Sequence, residues 1–69
     1  MNKYYKLNLI KIQNMALNKG MSLSALCDQA GIERSRITDW KKHRVTPRTV
    51  YLIANALGAT PSEIITEEA

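Results

Sequence analysis

Apolar residues recur three and four positions apart along most of the chain, a spacing that places them on one face of an α-helix. The first such helix ends at Lys19 and Gly20, because glycine readily takes the left-handed conformation that terminates a helix. Its start is open, since Asn2 and Asn8 are both suitable N-caps. Its inward stripe consists of Leu9, Ile12, Met15 and Ala16.

Capping residues and apolar spacing define the next two helices. Ser22 is suited to cap a second helix that runs from about Leu23 to Ala30. A third helix is predicted from about Arg34 to His43, where Ile37 and Trp40 share the inward face.

Two proline-containing signals predict the last helices. Thr46 as N-cap and Pro47 at the first helical position open a fourth helix, which stops at Gly58. A fifth opens with the capping-box pattern Thr60-Pro61-Ser62-Glu63 and returns the chain to the core. No segment alternates apolar and polar residues as a strand does, so we predict an all-α bundle of five helices.

The second and third predicted helices together carry the pattern of a helix-turn-helix. Gly31 can adopt the positive φ that a sharp turn requires. Cys27 is small enough for one helix to cross close to the other, and Ile37 and Trp40 hold the following helix against the core. A two-helix unit with a short glycine turn is the element that lays its second helix in the major groove of DNA.

The distribution of charge supports the same interpretation. Residues 34–48 hold six basic side chains and one acidic one, whereas residues 49–69 hold three acidic side chains and no basic one. A concentration of positive charge is typical of a phosphate-binding surface. Charge alone would favour a merely solvated basic face, and its coincidence with the helix-turn-helix favours nucleic acid.

Composition restricts the class of protein. The 69 residues predict one small domain, spanning 1–69, and no apolar run approaches the roughly 18 residues of a membrane span, so we expect a cytoplasmic location. The single cysteine, Cys27, excludes an internal disulfide, and its position favours close packing. The sequence offers no second metal ligand to accompany His43, so metal binding is not expected there. The spacing of Trp40 from Ile37 predicts that the indole belongs to the core. We expect no enzyme activity, cofactor, metal or small-molecule ligand.

A long stretch of the chain resembles the lambda-repressor/Cro-like helix-turn-helix family, whose members are often called XRE-type regulators. The resemblance is carried by MSLSALCDQAGIERSRITDWKKHRVTPRTVYLIANALGATPSEII and extends from about Leu9 to Ile65. Its last block, TVYLIANALGATPSEII, is similar to the family pattern Leu-x-x-Ile-Ala-x-x-Leu-Gly-Val followed by a capped helix. The resemblance implies a five-helix lambda-repressor-like bundle that binds double-stranded DNA as a homodimer.

The chain departs from the family pattern in several places. Leu23 stands where members often have a polar residue that anchors a phosphate, and Glu33 stands where a serine or threonine usually caps the recognition helix. Ala16 and Lys41 replace an arginine–glutamate pair, so both partners are missing together. His43 replaces a glycine. These departures concern the details of DNA contact more than the fold.

The face of the third helix opposite its inward residues is expected to contact bases. Arg34 is the first candidate, because its guanidinium can donate to O6 and N7 of guanine. Asp39 can accept from N4 of cytosine or form an i, i+3 pair with Arg36, and both possibilities stay open. Ser35 and Thr38 can bond a base or a phosphate. The predicted base contacts are Arg34, Ser35, Thr38 and Asp39.

Phosphate contacts are expected from helix openings and from the basic loop. The Ser22 hydroxyl and the N–H groups that open the second helix form a candidate anion site. Family resemblance implies that the loop before the fourth helix grips the sugar-phosphate backbone. The predicted backbone contacts are Ser22, Arg36, Lys42, Arg44, Thr46 and Arg48.

The first predicted helix is more apolar than one core face requires. Its extra apolar residues either complete the core through an N-terminal extension, which we favour, or form a surface for a partner. These residues are Tyr4, Tyr5, Leu7, Ile10 and Leu17.

The function expected from the sequence is a sequence-specific, double-stranded-DNA-binding transcriptional regulator, with repression favoured, that reads the major groove with its third helix. The family resemblance implies a homodimer with a surface around Leu57, Ile64 and Ile65. The alternative is an antitoxin-like or adaptor-like protein-interaction module on the same fold, with DNA binding secondary. The unusually apolar first helix and Leu23 favour this alternative, and the basic residues of the 34–48 segment oppose it.

Overall fold

The computed structural model describes residues 4–66, and within them the chain forms five α-helices. The predicted all-α class is confirmed, with each helix close to its predicted position. The helices are α1 (Leu9–Asn18), α2 (Leu23–Ala30), α3 (Arg36–Lys42), α4 (Pro47–Leu57) and α5 (Pro61–Ile64).

Side-chain caps fix where α1 and α2 begin. The Oδ1 atom of Asn8 accepts a hydrogen bond from the Lys11 N–H at 3.2 Å. The Ser22 Oγ atom accepts one from the Ala25 N–H at 3.1 Å. Each bond satisfies an N–H group that a helix opening otherwise leaves without a partner. Asn8 is therefore the cap of α1, and the other candidate, Asn2, lies outside the described residues.

A glycine in the left-handed conformation closes α2. Gly31 has φ 75° and ψ 31°, and its N–H donates to the Asp28 carbonyl while the Ile32 N–H donates to the Cys27 carbonyl. This pair of bonds is a Schellman motif, which satisfies two carbonyl groups at the helix end and turns the chain sharply. The predicted role of Gly31 in the turn between α2 and α3 is confirmed.

The hydrophobic core lies where α4 packs against α2 and α5, with α1 also against α2 and α5. Leu26, Cys27 and Ile53 are fully buried, and Trp40 brings α3 onto the same cluster. No side chain in the described part of the chain leaves a buried polar atom without a hydrogen bond. The buried apolar residues are Leu7, Ile12, Ala16, Leu26, Cys27, Trp40, Val50, Ile53, Ala54, Leu57 and Ile64.

An extended segment ahead of α1 adds two isolated antiparallel β-bridges that the sequence pattern did not predict. Tyr5 pairs with Val45, with N–H···O distances of 2.8 and 2.7 Å. Leu7 pairs with Ile65, and the N–H of Thr66 donates to the carbonyl of Lys6 at 2.8 Å. Each bridge joins a single residue pair, which is too short to produce visible alternation.

The apolar N-terminal residues divide between the two predicted roles. Leu7 is buried in the core and Tyr5 is half-buried against it, as a core-completing extension requires. Tyr4, Ile10 and Leu17 remain exposed, with 52%, 75% and 67% of their surface accessible.

Three boundary predictions are corrected by the structure. The third helix begins at Arg36 rather than at Arg34, because the N–H groups of Arg36 and Ile37 donate to carbonyls three residues back in a tight turn that precedes it. Its N-cap position is Ser35 rather than the predicted Glu33, and no side chain bonds there. It ends at Lys42, since His43 is extended and leads into the bridge at Val45.

The fifth helix is a single turn, Pro61–Ile64, and its predicted capping box does not form. The Thr60 hydroxyl lies 3.4 Å from the Ser62 hydroxyl and makes no capping bond. The predicted dimer surface is also wrong in part, because Leu57 and Ile64 are buried in the core of the same chain. Side chains used for internal packing cannot cover a partner.

Candidate nucleic-acid interface

Within the helix-turn-helix, α3 packs against the core through few side chains. Leu26 and Cys27 on α2 are fully buried, and burial raises the pKa of the Cys27 thiol by desolvation. Trp40 is buried and Ile37 is half-buried, so both inward positions predicted for α3 are confirmed. The indole is therefore mainly a core group.

The opposite face of α3 and the turn before it is open to solvent. Ser35, Thr38, Asp39 and Lys42 are all exposed, as the helical wheel predicts. Their side chains supply hydroxyl, carboxylate and ammonium groups, which together can donate and accept hydrogen bonds at base edges or phosphates.

A shallow cleft of about 730 Å³ runs between α3 and the start of α4. Gly31, in the turn between α2 and α3, and Trp40 also line it. It brings together five of the residues predicted to contact DNA, namely Arg36, Asp39, Arg44, Thr46 and Arg48. Three arginines line this surface together with two carboxylates, Glu33 and Asp39, and the remaining excess of positive charge favours an anionic ligand.

The opening of α4 lacks a side-chain cap. Thr46 occupies the N-cap position with extended dihedral angles, yet its hydroxyl lies 3.4 Å from that of Thr49 and makes no capping bond. Pro47 has no N–H to satisfy. The remaining N–H groups of this first turn carry the positive end of the helix dipole, which favours a phosphate beside Arg48.

Ser22 occupies a comparable place at the start of α2. Its oxygen already accepts the capping bond from Ala25, while its hydroxyl proton has no acceptor within the described residues. A serine in this state can donate to a phosphate and cap its helix at once.

The sequence left two roles open for Asp39, acceptance from a base and a pair with Arg36, and the structure bears on the second. Asp39 is exposed, and no hydrogen bond or ion pair joins it to Arg36 in the part of the chain that the structure describes. The i, i+3 pair is therefore absent from this conformation, and the carboxylate remains available as an acceptor.

Arg34 lies outside the cleft and is paired across the helix-turn-helix. Its Nε and Nη2 atoms donate to Oδ1 and Oδ2 of Asp28, at 3.2 and 2.5 Å. The hydrogen bond from Arg34 lowers the pKa of the Asp28 carboxyl, and the same bond raises that of the guanidinium. Asp28 is thus a residue of the candidate interface that the sequence pattern did not indicate. It was missed because Asp28 and Arg34 are six positions apart and lie on opposite sides of a turn.

Lys6 is a second residue that sequence reasoning missed. The Tyr5–Val45 bridge brings Lys6 to a small concavity of about 300 Å³, which His43 also lines, beside two predicted phosphate contacts, Lys42 and Arg44. No local signal indicates this neighbourhood, since Lys6 is far from the others in the sequence. The basic surface therefore extends onto the N-terminal segment.

Other kinds of site find no support among residues 4–66. No three histidine, cysteine or carboxylate side chains in this range lie close enough to hold a metal ion. None of the helices described is long and apolar enough to cross a membrane.

The fold and the interface define a helix-turn-helix protein of the DNA-binding class. The chain belongs to the Cro/C1-type helix-turn-helix DNA-binding domain family, whose model matches residues 11–69. This confirms the resemblance found in the sequence, and the family is in general one of DNA-binding rather than catalytic domains. No curated protein and no solved structure matches the chain.

Proposed function

We propose that this DNA-binding domain is a sequence-specific transcriptional regulator that places α3 in the major groove of double-stranded DNA. The observation that carries the proposal is the exposed polar face of α3, held by Trp40 beside a basic cleft. A helix presented in this way can enter a groove about 12 Å wide and reach base edges.

Base recognition is assigned to the turn before α3 and to its exposed face. Ser35 and Thr38 supply hydroxyl groups, and Asp39 can accept from N4 of cytosine. Arg34 can donate to guanine from the side of its guanidinium that Asp28 does not occupy. These four residues are the proposed base contacts.

Backbone contacts are assigned to both sides of α3. The cleft side offers Arg36, Arg44 and Arg48 with the uncapped opening of α4. Contacts of this kind fix the position of a protein on DNA without reading sequence. The proposed set is Ser22, Arg36, Lys42, Arg44, Thr46 and Arg48, and we propose Lys6 as a further contact because it lines a concavity with Lys42 and Arg44.

We further propose that the chain acts as one domain, residues 1–69, and represses transcription as a cytoplasmic homodimer. A single module of this size buries only about 600–1,000 Å² on DNA, so a second copy would supply the remaining affinity. Two copies would place their α3 helices about 34 Å apart, in successive major grooves. Repression then follows from occupying a site that polymerase needs.

The proposal is tested by selecting bound sequences from a random duplex library and titrating the enriched site at two salt concentrations. We expect a short palindrome, bound far more tightly than bulk DNA. Thr38→Ala should change base preference, whereas Lys6→Ala should weaken all sites alike. Weak binding without any enriched sequence would contradict the proposal.

A second candidate function, binding to a protein partner, is favoured by one observation. Ile10 and Leu17 lie two turns apart on the same face of α1 and are largely exposed. The double change Ile10→Asn and Leu17→Asn tests it, because it leaves the proposed DNA contacts in place. Retained DNA binding with lost regulation in cells would support a partner on this face, and retained regulation would argue against one.

A further inference from the structure

The ion pair between Arg34 and Asp28 fixes one edge of a guanidinium. The pair uses Nε and Nη2 of the arginine and both oxygens of the carboxylate. Two parallel bonds between planar groups set the plane of the guanidinium as well as its distance, which a single bond does not. The Arg34 side chain is therefore oriented before any ligand arrives.

The opposite edge of the same guanidinium stays free. A guanidinium carries five N–H donors, and the pair with Asp28 takes two of them. The remaining donors, on Nη1 and Nη2, face away from the carboxylate. Two N–H groups side by side at this end have the geometry that matches O6 and N7 of guanine. Both side chains are open to solvent, with 64% and 55% of their surface accessible.

The position of Asp28 is electrostatically unfavourable in two respects. It lies in the last turn of α2, where the helix dipole disfavours a negative charge. It also adds negative charge beside a surface expected to meet phosphates. Exposed ion pairs contribute little to folding, so stability does not account for the carboxylate at this place. Orientation of Arg34 does.

We propose that Asp28 is a positioning residue that holds Arg34 so that its free edge reads one guanine in the bound DNA. The inference rests on the proposed function, since it assigns one base preference to one pair of side chains. It makes a distinctive prediction, because removing the charge of Asp28 should strengthen general DNA attraction while weakening base selection.

The experiment compares Asp28→Asn with wild type, with Arg34→Ala and with the charge-matched control Glu33→Gln. Glu33 is exposed, adjacent to Arg34 and not bonded to it. Each protein selects from the same random duplex library, and its affinity is then measured on the wild-type site, on that site with each single base replaced, and on a random duplex.

For Asp28→Asn we expect guanine preference at one position to fall about 5-fold or more, within the 5- to 150-fold discrimination of a bidentate contact. Binding to the random duplex should become tighter. Arg34→Ala should lose preference at the same position, and adding Asp28→Asn to it should remove no further preference. Glu33→Gln should tighten binding to all duplexes and leave every base preference as in wild type.

Two results would overturn the inference while the proposed function stands. In one, Asp28→Asn keeps the wild-type preference at every position. In the other, it binds the selected site with sharper guanine preference, which would mean that Asp28 withholds Arg34 from DNA. If the wild-type protein enriches no site, the proposed function itself fails, and the inference fails with it. Thermal unfolding of each variant confirms that the comparison is made between folded proteins.

Discussion

Helices α3 and α4 follow each other in the chain and are both amphipathic, but α4 is used mainly for packing and α3 mainly exposes its side chains to solvent. Helix α4 has eleven residues and buries four of them between α2 and α5. Helix α3 has seven residues, all in the described part of the chain, and buries only Trp40. Helix α4 therefore contributes to the core, whereas α3 is anchored to the core by one large side chain and leaves the rest of its surface exposed.

The difference teaches that stability and recognition are carried by separate residues in this domain. Polar side chains on α3 face solvent, so their replacement changes what the surface can bind and little else. Apolar side chains on α4 face the core, so their replacement changes whether the domain folds. Variants chosen from the two helices should therefore separate the two properties.

The largest effect is expected at the contact that joins the two regions. Trp40→Ala should lower the free energy of unfolding by about 3–5 kcal/mol, because it empties the only buried position of α3 within the described residues. Urea unfolding measures this loss. Ile53→Ala, in the buried face of α4, should cost about 2–5 kcal/mol by the same mechanism.

The two core changes should differ in their effect on DNA binding. Where both proteins are still folded, we expect the loss of Trp40 to displace α3 from the core and weaken DNA binding, whereas the loss of Ile53 should leave the position of α3 unchanged. The milder pair Trp40→Phe and Ile53→Val serves if the alanine variants do not fold. Equal DNA affinity in the two members of a pair would show that Trp40 does not position the interface.

A smaller effect is expected from the cleft. Arg44→Ala together with Arg48→Ala should weaken binding to all duplexes and reduce the slope of log affinity against log salt by roughly 2, since each lost phosphate contact removes about one counterion. Thermal stability should change little, because both side chains are exposed. A slope equal to that of wild type would mean that neither arginine meets a phosphate.

A change on the exposed face of α3 should affect stability least. Thr38→Ala should alter the free energy of unfolding by no more than about 0.5 kcal/mol, because the side chain is exposed. The base preference of the selected site should nevertheless change. Unfolding and library selection on the same preparation test both halves of this expectation.

The finest distinction concerns protonation of Asp28. Its pKa is lowered by the hydrogen bond from Arg34, so its pairing stabilises the folded state above the pKa of the unfolded chain, and this contribution is lost as pH falls through the folded pKa. NMR titration of the carboxyl should give a folded pKa below the ordinary aspartate value. Arg34→Ala should return it toward that value. An unchanged pKa in the variant would mean that the pair does not persist in solution.

Local patterns in the sequence were sufficient for most of the fold. Ser22 caps its helix, Gly31 takes the left-handed conformation and Trp40 is buried, because each depends on residues only a few positions away. Contacts between distant segments were not predictable in this way. The β-bridge at Tyr5 and the approach of Lys6 to the basic surface have no periodic signature.

The candidate site was predicted in composition more than in geometry. The exposed face of α3 follows from helical spacing, which is why Thr38 and Asp39 lie where expected. Arg34 was placed on the helix, yet it lies in the turn before it and pairs with Asp28. Turn geometry and pairing depend on how two helices cross, and one sequence does not specify that angle.

The bridge between Tyr5 and Val45 has a consequence for the order of folding. Forty positions separate the two residues, and a contact of that span closes a long loop, at an entropic cost that contacts inside the helices avoid. The individual helices should therefore form before the bridge. By the same reasoning we expect the Tyr5–Val45 bridge to open before the helices unfold, and its opening frees the backbone beside Arg44 while α2 and α4 remain packed.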